Sequence, residues 1–94
     1  MNAQELILHI AANLGRLARW AIEGRNDRID QFLRETERCL EDLRRQPARE
    51  EFKSTLDRFW LEFHDIRTAE RRDIEWAERV ATWANILTHR AKLA

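Results

Sequence analysis

Apolar residues recur along this chain at the alternating three- and four-residue spacing of helices buried on one side. In the first segment Leu6, Ile10, Leu14, Leu17 and Ala21 form a stripe that Ile7, Ala11, Ala18 and Ile22 widen. Glu5, His9, Arg16, Arg19 and Glu23 collect opposite it. The spacing predicts a helix over residues 3–23, and Gly24 stands where a left-handed cap would end it. Asn26 or Asp27 is expected to cap a second helix over 27–45, with Asp27 and Asp30 near the positive end of its dipole. Ile29, Leu33, Thr36, Leu40 and Leu43 make the seam of that helix, with Phe32 and Cys39 beside it. Arg44 and Arg45 suit its carbonyl end. Pro47 disfavours helical backbone at Gln46 and is also suited to the first turn of the next helix.

Residues 48–94 contain neither Gly nor Pro. Phe52, Leu56, Phe59, Phe63 and Ile66 keep the seam spacing, as do Ala77, Val80, Ala84, Leu87 and Ala91, which Trp76 and Trp83 flank. Between the two runs the seam positions fall on Glu70 and Asp73. Two arrangements satisfy this pattern. The chain turns near residues 65–69, with Asp65 or Thr68 as N-cap, or one helix runs unbroken for about 70 Å at 1.5 Å per residue. The unbroken helix would leave half its seam uncovered without a partner. The expectation is therefore an all-α, antiparallel up-down bundle of four helices, each of about 20 residues, in a single domain over 1–94. The alternative is three helices with a long continuous C-terminal one.

Composition narrows the function classes. The 94 residues carry 17 basic and 17 acidic side chains, so no basic excess is present to coat a phosphate backbone. The charges are interleaved, as in Arg34-Glu35-Thr36-Glu37-Arg38 and in 67–73, which reads as solvated helix backs with pairs such as Arg71, Glu75 and Arg79 one turn apart. A nucleic-acid partner is not expected. Cys39 stands alone and has no disulfide partner in the chain, which suits a reducing cytosol. The cluster Leu6-Ile7-Leu8 has no basic residue before it and is interrupted at His9 and Asn13, so it does not read as a secretory signal. No run is apolar enough to span a membrane. A membrane-surface role for the first helix is disfavoured by its balanced charges. Cytoplasmic location is the expectation. Fifteen arginines against two lysines point to a GC-rich bacterial genome.

Candidate chemistry is sparse. Glu5 and His9 lie one helical turn apart, a metal-competent spacing, but no Glu-x-x-His pair accompanies them and no metal site is expected. Neither His64 nor His89 adds a ligand pair. Ser54 lacks a glycine-flanked elbow, Cys39 has no histidine near it in sequence, and Gly15 and Gly24 are isolated, so no cofactor or small-molecule ligand is expected. Trp20, Trp60, Trp76 and Trp83 have cationic neighbours in Arg19, Arg58, Arg72 and Arg79, but Trp76 and Trp83 share the core face of their helix. Arg58 and His64, with five residues between them, resemble the arginine–histidine pattern of the HEPN-type ribonucleases. That resemblance implies metal-independent RNA cleavage by these two residues, in one half of a toxin–antitoxin pair. Phe59 follows Arg58 where that family places a polar residue, and with this many arginines chance supplies about one such spacing.

The feature that exceeds an ordinary small bundle is surplus apolar surface. Leu8 falls about 130° from the centre of the first core stripe, taking 100° per residue. Leu61 projects away from its seam, Ile86 and Leu93 form a pair seven apart off the last one, and Trp20 and Trp60 sit at stripe edges. These six residues are the expected contact surface of a homodimer or of a protein partner. The sequence thus reads as a non-catalytic interaction or self-association module, with the ribonuclease of Arg58 and His64 as the alternative.

Overall fold

The computed structural model describes residues 1–94 and contains four α-helices and no strand. They are α1 (Ala3–Glu23), α2 (Ile29–Arg45), α3 (Glu50–Thr68) and α4 (Ile74–Arg90), followed by a short 3-10 turn, Ala91–Leu93. At 1.5 Å per residue α1 is about 32 Å long, which fits extents of 37 × 20 × 18 Å. Short links make sequential helices antiparallel neighbours, the up-down arrangement expected from the seam pattern. The unbroken C-terminal helix does not form.

The helix ends show which local signals act. At the start of α1, Asn2 Oδ1 accepts from the Glu5 N–H at 2.8 Å, and the Glu5 carboxylate accepts from the Asn2 N–H at 3.2 Å, a reciprocal capping box. Gly24 ends α1 at φ 71°, a backbone state that disfavours side chains. The expected capping of α2 by Asn26 or Asp27 does not occur. The helix begins two residues later, at Ile29, whose N–H is taken by the Asn26 backbone carbonyl at 3.3 Å. Pro47 does end α2, with Gln46 extended at ψ 150°. It does not enter the next helix, because the link stays extended through Arg49 and α3 starts at Glu50.

The last turn lies at residues 69–73, later than the expected 65–69. Asp65 and Thr68 complete α3 instead of capping α4, and the Thr68 hydroxyl donates back to the His64 carbonyl at 2.8 Å. The cap is Asp73, whose carboxylate accepts from the Trp76 N–H at 3.1 Å. Glu70 and Asp73 are therefore loop and cap rather than a polar layer.

Packing is uneven in a way the side chains explain. The α1 backbone approaches α4 most closely and α2 next. Ala11 and Ala18 on α1, and Ala77 and Ala84 on α4 with Ala91 in the turn after it, recur every seven residues and leave room for that approach. Bulky Phe52, Phe59 and Phe63 hold α3 further from its neighbours. Phe59 lies 5.3 Å from Trp83 and 5.7 Å from Phe63 between ring centroids. Trp76 donates its indole N–H to the Ile66 carbonyl at 3.0 Å, tying α4 to the end of α3.

One core position is polar at a cost. Asn13 is 0% exposed, and its Oδ1 accepts from Arg16 at 2.9 Å, but its Nδ2 has no partner. A buried unpaired donor costs about 1–3 kcal/mol. Asn13→Leu is expected to raise stability by about 1–2 kcal/mol, read as a higher denaturation midpoint. An unchanged or lower midpoint would show that the Arg16 bond outweighs the unpaired amide.

Candidate functional site

Because α3 stands off, the crevice between α2 and α3 stays open, with a volume of about 370 Å³. Leu40 and Phe63 lie at its buried floor, Trp60 and Leu61 rise on the α3 side, and Glu37, Glu41, His64, Asp65 and Arg67 form its polar rim. Arg67 Nε bonds Glu37 at 2.7 Å across the crevice. The Arg44 guanidinium covers the Trp60 ring at 4.1 Å from its centroid, which orders the indole at the surface. This arrangement can seat an apolar side chain beside an aromatic wall.

The Arg58–His64 pair is not assembled within one chain. Six residues advance about 600° around a helix, which leaves the two roughly 120° apart. His64 faces the α2–α3 crevice, whereas Arg58 lies against α4 in a notch with Ser54, Thr55, Trp83, Ile86 and Arg90. Its guanidinium sits 6.0 Å from the Trp83 centroid.

The other titratable groups act between helices. Glu5 is engaged in the cap of α1, so His9 turns to α2, with Nε2 3.4 Å from Glu35 Oε1. No three His, Cys, Asp or Glu side chains gather as a metal site. Arg79 does not pair with Glu75 as the one-turn spacing suggested. It reaches α3 instead, bonding Glu62 at 2.7 and 3.1 Å and Asp65 at 3.3 Å. The Glu62 bond pushes its already high pKa further up. Burial raises the Cys39 thiol, and Glu35 and Asp42 raise it further against the opposing effect of Arg38. A thiol held protonated in this way is a poor nucleophile.

The six expected contact residues separate into two groups. Trp20 is 7% exposed and packs edge-on against Phe32 at 4.9 Å, so it belongs to the core of its own chain. Ile86 and Leu93 are half-buried against the core. Leu8, Trp60 and Leu61 do face outward. Sequence reasoning placed Ile22 on the core side of α1 and gave Ile74 no role, yet each is 66% exposed. Ile22 lies on the flank of α1 that no neighbour covers. Ile74 is the first residue after the Asp73 cap, a position hidden while the turn was placed too early.

These outward residues occupy opposite sides of the bundle. Trp60 and Leu61 belong to the α2–α3 side. Antiparallel packing puts Ile22, at the end of α1, at the same end of the bundle as Ile74, which starts α4. At the opposite end Gln4 Nε2 donates to the Lys92 carbonyl at 3.4 Å. No family model, curated protein or solved structure matches the chain. No helix is long and apolar enough to cross a membrane.

On α1, Leu8, Gly15 and Ile22 follow one another at intervals of seven residues and are all exposed. A Cβ placed on Gly15 would meet nothing within 4 Å. A glycine inside a helix costs about 0.5–1 kcal/mol relative to alanine, and nothing in this chain requires it.

Proposed function

We propose that the protein is a non-catalytic, cytoplasmic interaction module that associates with itself through a helix face. The observation that carries this reading is the α1–α4 side, where Leu8 is 47% exposed and Ile22 and Ile74 are each 66% exposed. Single exposed apolar residues are ordinary, whereas several on one two-helix face mark a surface that a second molecule covers. A domain of this size buries a modest share of its surface, so association adds useful stability. A two-fold dimer is the simplest closed form. The lone Cys39, without a disulfide partner in the chain, is consistent with a reducing compartment.

Solution mass tests the reading. A dimer of the 11.3 kDa chain is expected, and Ile22→Glu with Ile74→Glu is expected to give a helical monomer, because both side chains are already solvent-facing. A wild-type monomer at high concentration would remove self-association. A second reading assigns the α2–α3 crevice to a different protein, since Trp60 and Leu61 stand beside an open apolar floor. Leu61→Glu distinguishes them: it leaves an α1–α4 dimer intact and abolishes binding in the crevice.

A further inference from the structure

We infer that the notch between the start of α2 and the end of α3 is an oxyanion site that takes one phosphate group, as free phosphate or as the monoester of a small molecule. This goes beyond the self-association reading and does not depend on it.

The sequence disperses the residues that form the notch. Arg34 lies in the mixed run 34–38, and Arg67 and Arg72 lie in the mixed run 67–73, both with acids interleaved. The fold draws the three arginines to one notch of about 340 Å³, which Asp30, Leu33 and Thr68 complete. Arg34 comes from α2, Arg67 from the last turn of α3, and Arg72 from the link before α4. Three arginines thus meet one lining carboxylate, in a chain whose 17 cations and 17 anions otherwise balance. Leu33 is the one apolar wall, so the notch suits a hydrophilic ligand.

The donors here outnumber the acceptors the chain supplies. A guanidinium carries five N–H groups. Arg72 Nη2 lies 2.7 Å from Asp30 Oδ1, and Arg67 Nε lies 2.7 Å from Glu37 Oε2. Arg34 enters no ion pair. Arg72 Nε is buried without a partner, a donor that is costly to leave unmade. The start of α2 adds two more. No side chain caps it, and its first backbone bonds, from Ile29 and Phe32, leave the Asp30 and Gln31 N–H groups without a backbone acceptor. Those groups stand at the positive end of the helix dipole.

Arginine forks match the paired oxygens of a phosphate, and such charge-assisted bonds are among the strong ones. A phosphate in the notch relieves the mutual repulsion of the three cations and supplies the acceptors that Arg34, Arg67 and Arg72 Nε lack. Asp30 is the one lining group that opposes it. Glu37 lines the neighbouring α2–α3 crevice rather than the notch.

Titration of the ¹⁵N-labelled protein with sodium phosphate, against sodium chloride at equal ionic strength, tests the site. Saturable shifts of the Asp30 and Gln31 amides and of the arginine Nε–H signals are expected with phosphate alone. O-phosphoserine separates the two sources: tighter binding than phosphate assigns a monoester, and equal or weaker binding assigns the free anion. Arg34→Gln removes no contact within the chain, so it should keep the wild-type melting temperature. Its phosphate dissociation constant is expected to rise about tenfold, the scale of one charge-assisted hydrogen bond. Asp30→Asn removes the opposing carboxylate and is expected to bind phosphate several-fold more tightly. Shifts that stay linear, or that chloride reproduces, would overturn the site, as would an unchanged dissociation constant in Arg34→Gln.

Discussion

Phe59→Ala is expected to lower folding stability by about 3–5 kcal/mol, the range for removing a fully buried phenylalanine. Phe59 is 1% exposed and tilts against both Phe63 and Trp83. The backbone of α3 does not approach its neighbours closely, so these rings fill the space between α3 and α4. Truncating one leaves a cavity that the helices cannot close without displacing the other rings. Domains of this kind have roughly 5–15 kcal/mol of stability in total, so the variant should be near its unfolding midpoint at modest denaturant. Urea titration followed by far-ultraviolet dichroism measures the loss. A change below about 1 kcal/mol would mean that α3 can collapse onto the bundle after all. Phe59→Leu retains most of the volume and should lose much less.

The same contrast between α3 and the rest explains how much of the fold was legible in the sequence. Both ends of α1 carry side-chain signals, Asn2 with Glu5 at one end and Gly24 at the other, and its observed limits are those the pattern predicts. The starts of α2 and α3 use none, and the signals at Asn26, Asp27 and Pro47 go unused there. Their caps are Arg28 and Arg49, which make no capping bond, so the link geometry and the core set where those helices begin. The turn before α4 was misplaced for another reason. A seam extended through 67–73 assigns Asp73 to a core position, yet an aspartate three residues before a tryptophan of the core stripe is equally a cap. Spacing alone treats the two alike, and the observed bond to the Trp76 N–H decides it.

The candidate site was less legible, because periodicity identifies the face of a helix but not which flank a neighbour covers. Trp20 and Ile22 both border the α1 stripe. Phe32 of α2 covers Trp20, and nothing covers Ile22. Which flank receives α2 depends on the handedness of the bundle, and one helix's pattern does not encode that. Arg79 shows the same blindness among charges, since its partners Glu62 and Asp65 lie on another helix. Leu8 and Leu61 were legible because they point far from their seams, and Trp60, at a stripe edge, stays at the surface under the Arg44 guanidinium.

Trp76→Phe is expected to destabilise by about 1–3 kcal/mol although most of the buried ring remains. Ile66 lies in the last turn of α3, where carbonyls have no N–H partner within the helix. The indole N–H of Trp76 satisfies that carbonyl from α4, in a place closed to solvent. Phenylalanine keeps the packing but leaves the carbonyl unpaired. Trp76→Ala loses both and should reach about 3–5 kcal/mol. Asp73→Ala removes only the cap of α4 and is expected near 1 kcal/mol. One kcal/mol moves the melting temperature of a domain this size by about 4–8 °C, so thermal melts resolve the order alanine, phenylalanine, then the Asp73 variant. If Asp73→Ala proved the most damaging, the turn would owe its stability to the start of α4. The expected order places that stability in the bond that joins α4 to the end of α3.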